Sequence, residues 1–85
     1  MNTVLFLCTG NYYRSRFAEC LFNALVSKQG LNWMASSRGL ALERGVNNIG
    51  PISKHALTGL SSCGVSVLED MRYPLPLTEA DLAAA

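Results

Sequence analysis

Residues 4–19 read VLFLCTGNYYRSRFAE, and the change of character inside this stretch decides the fold. Thr3, Val4, Leu5, Phe6 and Leu7 form a continuous apolar run with β-branched and aromatic members. That is the pattern of a strand covered on both faces in a parallel sheet. Cys8 to Arg14 then predicts a loop, because Gly10 and Asn11 both tolerate a positive φ. From Ser15 onward Phe17, Ala18, Leu21, Phe22, Leu25 and Val26 recur at helical spacing and make one apolar face.

Working outward, Lys28 and Gly30 suit the last turn and the stop of that helix. Asn32 to Ser37 predicts a second strand, and residues 38–50 a long loop of the kind that lines sites, holding Gly39, Gly45, Asn47, Asn48 and Gly50. Pro51 suits the first turn of a second helix with Ile52, Ala56, Leu57 and Leu60 on one face and Gly64 past its end. Val65, Ser66 and Val67 predict a short extended piece. Pro74 and Pro76 keep residues 71–77 out of helix, and Thr78 with Asp81 fits a capping box opening a third helix. Strands alternating with helices predict an α/β fold with a parallel sheet and right-handed crossovers. Two main strands are few for such a sheet, so residues 1–85 are expected to be the N-terminal part of a single larger domain.

Composition narrows the functions. The chain has 85 residues and 9.2 kDa, a net charge of +1, 49% hydrophobic and 15% charged residues, and a mean hydropathy of +0.20. Such a charge balance argues against nucleic acid as a partner, and the apolar content argues against disorder. The apolar run near the N-terminus is too short for a membrane span and has no basic lead-in, so a cytoplasmic protein without a membrane partner is expected. Cys8, Cys20 and Cys63 are odd in number and lack metal-ligand spacing, which predicts neither a disulfide framework nor a metal site. His55, on the second helix, reads as a surface or helix-packing residue, and Trp33 as a core residue.

The chemistry concentrates between Cys8 and Ser15. A loop that bends at Gly10 and Asn11 and runs into a helix gathers backbone N–H groups at a helix N-terminus, which is an anion cradle. Arg14 can close it with a bidentate grip on a tetrahedral oxyanion. The same positive surroundings should depress the pKa of Cys8, and Ser15 can donate a hydrogen bond to its sulfur. A thiolate beneath a bound phosphate is placed as a nucleophile.

Val4 to Glu19 resembles the phosphate-binding loop of the low-molecular-weight protein tyrosine phosphatases, whose pattern runs Cys-x-Gly-Asn-x-Cys-Arg-Ser-Pro. Ala35 to Gly39 is similar to the family's second strand and following loop, and Leu77 to Leu82 to its helix leading into a third strand. The resemblance implies a three-layer α/β fold with a four-stranded parallel sheet. It also implies hydrolysis of a phosphotyrosine protein or small aryl phosphate through a cysteinyl-phosphate intermediate, with no cofactor or metal. By motif position it makes Cys8 the nucleophile and Arg14 the phosphate and transition-state clamp. Asn11 keeps the loop's shape, Ser15 stabilises the thiolate, and Thr9, Gly10, Asn11, Tyr12, Tyr13, Arg14 and Ser15 bind phosphate.

Three departures from the pattern carry consequences. Tyr13 replaces the second loop cysteine, so no protective disulfide can form within the loop. Arg16 replaces the proline and is expected to add positive charge beside the cradle. The family's general-acid aspartate lies in a loop of a longer chain, and no residue here inherits its role: Asp70 and Asp81 read as turn or cap residues. Of the adjacent tyrosines, one can flank the pocket mouth and stack on an aromatic substrate, or one is packed and the other exposed. Two other readings stand beside the phosphatase. An arsenate reductase would need resolving cysteines, for which Cys63 is the remote candidate. A non-catalytic oxyanion-binding or interaction module would keep the cradle without the acid. An uncovered edge of the first strand would also favour self-association.

Overall fold

The computed structural model describes residues 1–66 and 71–85. Its elements are strand β1 (Asn2–Cys8), helix α1 (Arg14–Lys28), strand β2 (Trp33–Gly39), a single 3₁₀ turn (Leu42–Gly45), helix α2 (Lys54–Ser62) and helix α3 (Glu79–Ala84). β1 and β2 pair in parallel, in register from Asn2 opposite Trp33 to Cys8 opposite Gly39. The chain is therefore a mixed α/β fold built on a parallel sheet, as the strand–helix alternation predicts.

The helix ends follow from their residues. Gly30 at φ 67° and Gly64 at φ 78° end α1 and α2 in the left-handed region, where a residue with a Cβ is strained. Each closes a paired cap: Leu31 N–H to Val26 O at 2.9 Å with Gly30 N–H to Ser27 O at 3.2 Å, and Val65 N–H to Leu60 O at 2.8 Å with Gly64 N–H to Ser61 O at 3.0 Å. Thr78 and Asp81 form the reciprocal capping box of α3. The Leu75–Leu77 segment lies parallel beside the end of β2, with Gly39 N–H on Leu75 O at 2.8 Å and Leu77 N–H on Gly39 O at 2.9 Å. α1 packs on the sheet and α2 packs on α1, where Cys20 and Leu60 centre a core flanked by Phe17, Leu21, Leu57 and Val65.

Several boundaries and burials differ from expectation. β2 runs to Gly39 rather than Ser37, because pairing with β1 continues to the site loop. α2 starts at Lys54 behind a Ser53 cap whose hydroxyl accepts from His55 N–H, so Pro51 precedes the helix instead of entering it. β1 is half-buried rather than covered on both faces, with Leu7 41% exposed. Trp33 is not a core residue: it stands 42% exposed at the start of β2, its ring edge-on to Phe22. On α1 the buried positions are Ser15, Arg16, Glu19, Cys20 and Val26, while Leu25 is exposed. The helix buries a polar flank toward the loop and the sheet end, and its apolar flank is shared with α2. Val67, the end of the short extended piece, and Asp70 lie outside the described residues.

Candidate active site

The parallel pairing carries β1 and β2 to a common end, and at that end Cys8 leaves the sheet. The loop that follows turns at Asn11, whose φ of 49° is the one positive value among the described non-glycine residues. It enters α1 at Tyr13, which caps the helix with no side-chain hydrogen bond. No acidic residue occupies the first turn, and Arg14 stands there instead, against the helix dipole. Among the described residues this N-terminus has no anionic partner. Arg14 is exposed, and its side chain makes no hydrogen bond or ion pair with the described residues.

Asn11 explains the loop's shape. It is fully buried, and its amide uses all four of its hydrogen-bonding positions. Nδ2 donates to Ser15 Oγ and to Ser37 Oγ, each at 2.8 Å, while Oδ1 accepts from Arg72 Nη1 at 2.9 Å and Leu75 N–H at 3.0 Å. Ser15 Oγ thus accepts from Asn11, which leaves its own proton for Cys8 Sγ, 3.0 Å away. Behind Asn11, Ser37 donates to Glu19 Oε1 at 2.8 Å, and Arg72 bridges Glu19 at 3.2 Å and the Ser37 carbonyl at 3.0 Å. One buried network therefore joins α1, the end of β2 and the segment before α3 to the sulfur.

Partial burial raises the Cys8 pKa, but hydrogen bonds to the sulfur outweigh it. The Ser15 hydroxyl and the backbone N–H groups of Ser15, Asn11 and Gly10 together hold the thiol below its ordinary value. The expectation of a depressed thiol agrees with this direction. The ring of hydrogen-bond donors is what lowers it. Arg16, expected to add positive charge beside the cradle, is 1% exposed and turned inward: its guanidinium donates to the carbonyls of Asn11 (3.4 Å), Pro51 (3.0 Å) and Arg72 (2.7 Å). A cation in place of the family's proline ties three loop segments together from within.

An open pocket of about 410 Å³ faces the sulfur. Cys8, Thr9, Gly10, Tyr12, Tyr13 and Arg14 line it from the loop and the start of α1, with Arg44, Gly45 and Asn48 from the loop after β2 and Ser53 and His55 from the start of α2. Asn11 and Ser15 lie buried behind this wall. Both tyrosines reach the mouth: Tyr12 is half-buried with its hydroxyl donating to Ile49 O, and Tyr13 is 47% exposed and stacked on His55. The glycine-rich loop lines the site as its composition predicts. His55, Glu19, Ser37 and Arg72 were not read as site residues; they arrive through tertiary contacts and carry no local signal. Asp81 caps α3 and pairs with Arg38 at 3.2 Å. Cys20 is buried in the core, Cys63 is exposed at the end of α2, and neither lines the pocket.

The geometry can be set beside known proteins. The family model for low molecular weight phosphotyrosine protein phosphatase matches residues 3–83. Among solved structures, a low molecular weight protein tyrosine phosphatase from T. tengcongensis is 37% identical, with a TM-score of 0.81 over 100% of this chain and 54% of that one. YfkJ from Bacillus subtilis is 35% identical, with a TM-score of 0.79 over 98% of this chain and 50% of that one. Wzb from Vibrio vulnificus, solved with benzylphosphonate, is 26% identical, with a TM-score of 0.77 over 98% and 53%. The chain thus spans about half the length of these structures. A comparison with curated proteins gave no match.

Proposed function

Since the chain belongs to the low molecular weight phosphotyrosine protein phosphatase family, we propose that it forms the phosphate-binding and nucleophilic half of a phosphomonoester hydrolase. Residues 1–85 are read as the N-terminal part of one phosphatase domain. The carrying observation is the set of donors around Cys8 Sγ at an uncapped helix N-terminus, with an unpartnered Arg14 beside it. In this reading the Cys8 thiolate attacks phosphorus, the S–P bond forms and the bond to the ester oxygen breaks. Water then attacks the cysteinyl phosphate, the S–P electrons return to sulfur, and inorganic phosphate leaves. N–H groups of Thr9 to Ser15 and the Arg14 fork hold the oxygens whose charge grows in the transition state. Tyr12 and Tyr13 flank an aryl group, which suits phosphotyrosine or a small aryl phosphate. A relative's complex with benzylphosphonate supports an aryl-bearing oxyanion as the ligand.

No carboxylate lines the pocket among the described residues, and in this reading the leaving oxygen departs without a proton from any of them. General-acid help is worth about 10²–10⁴-fold. The chain should therefore hydrolyse p-nitrophenyl phosphate and leave phenyl phosphate nearly untouched; equal rates on the two esters would refute the acid-free assignment. The reductase alternative is disfavoured because no second cysteine lines the pocket. No helix among the described residues is long and apolar enough to cross a membrane, and three free thiols suit a reducing cytoplasm. Self-association through the edge of β1 away from β2 belongs to the same reading, and sedimentation of the isolated chain tests it: a monomer at all concentrations removes it.

A further inference from the structure

The five arginines divide into two groups. Arg16 is spent on three backbone carbonyls, Arg38 pairs with Asp81, and Arg72 pairs with Glu19. The guanidinium groups of Arg14 and Arg44 make no hydrogen bond or ion pair with the described residues, both residues are exposed, and both line the pocket, which no carboxylate lines among the described residues. Glu43 is adjacent to Arg44 in sequence, yet the two form no ion pair. A guanidinium offers five donors in a planar fork and suits carboxylates and phosphates. One of the two forks serves the phosphate loop's own helix; the other comes from a separate element and is left over.

The position of Arg44 is fixed by the backbone. Leu40 N–H donates to Cys8 O at 2.8 Å and Ala41 N–H to Thr9 O at 2.9 Å, which bolts the loop after β2 onto the phosphate loop. Arg44 N–H then donates to Ala41 O at 3.0 Å, and Asn48 N–H to Gly45 O at 2.9 Å, closing the turn that carries the side chain. From these observations we propose that Arg44 is a specificity-determining residue, a second anion position at the pocket rim that reads an acidic side chain next to the phosphorylated residue of a peptide. This rests on the phosphate-site reading above. The substrate class it selects is an acidic phosphopeptide.

The test uses the full chain carrying Cys8→Ser, so that peptides bind without turnover. Fluorescence anisotropy compares two labelled phosphotyrosyl peptides that differ only in carrying Asp or Asn beside the phosphotyrosine, and inorganic phosphate is titrated as competitor. The acidic peptide should bind about two- to fivefold tighter, the range of a solvent-exposed ion pair, and the ratio should shrink as salt is raised. Arg44→Gln should bring the ratio to one and Arg44→Lys should keep most of it. A ratio of one in the parent chain, or a ratio that survives Arg44→Gln, overturns the proposal. Weaker phosphate binding in Arg44→Gln from a parent ratio of one would instead assign Arg44 to the phosphate itself. If neither peptide nor phosphate binds, the phosphate site fails as a whole, and this inference falls with it by a separately visible result.

Discussion

Replacing Asn11 with alanine probes the loop's internal support. The side chain is fully buried and makes four hydrogen bonds, to Ser15, Ser37, Arg72 and the backbone of Leu75. At about 0.5–1.5 kcal/mol net per bond, their loss costs about 2–6 kcal/mol. The φ of 49° at this position adds to the cost, since asparagine enters the left-handed region more readily than alanine. We expect a loss of about 4 kcal/mol, a large share of the roughly 5–15 kcal/mol that small domains possess. Urea denaturation followed by circular dichroism measures it. Ser62→Ala serves as the control: its hydroxyl makes one exposed bond to Thr58 O, and a surface change of that kind stays within about 0.5 kcal/mol. An Asn11→Ala loss no larger than the control's would show that the network does not hold the loop.

Three further outcomes follow from the geometry. Ser15→Ala removes the hydroxyl donor to Cys8 Sγ, so the pH midpoint for iodoacetamide alkylation of Cys8, read peptide by peptide to separate it from exposed Cys63, should move upward. The folded Cys8 pKa is depressed, so this thiol's stabilising contribution is complete above the unfolded thiol pKa and is lost as pH falls through the folded value. Stability from this group should thus rise with pH across that window in the parent chain and rise less in Ser15→Ala, as denaturation at a series of pH values would show. Gly39→Ala places a Cβ against the Leu42 side chain and 3.0 Å from Thr9 O, at the junction of β2 with the phosphate loop. The loss should be about 1–3 kcal/mol with weaker phosphate binding, and calorimetry showing neither would mean that the junction yields freely.

The parts legible in the sequence are those encoded locally. The apolar run of β1, the Gly-Asn bend, the helical spacing after Ser15 and the Thr78–Asp81 box each lie within a few residues, and each forms the element it predicts, although the burial of β1 and α1 differs. The buried network does not have that property. Glu19 meets Ser37 and Arg72 across gaps of 18 and 53 residues, and each of the three reads by itself as an ordinary surface residue. The inward turn of Arg16 is non-local for the same reason: its position beside the cradle is plain in the sequence, but the three loop carbonyls that draw its guanidinium inward come from separate segments. Trp33 followed its hydrophobicity in the reading and its strand-end position in the fold. The Leu75–Leu77 segment pairs with Gly39 through alternate backbone groups that Pro74 and Pro76 leave available, which no side-chain pattern announces.

The central claim is that Cys8 bonds covalently to phosphorus. Acid-quenched mass spectrometry of the chain mixed with p-nitrophenyl phosphate tests it directly. The account predicts a peptide containing Cys8 heavier by one phosphoryl group, absent in Cys8→Ser, with nitrophenolate release abolished in that variant. Release at the parent rate from Cys8→Ser, or a phosphoryl group on any other residue, would contradict it.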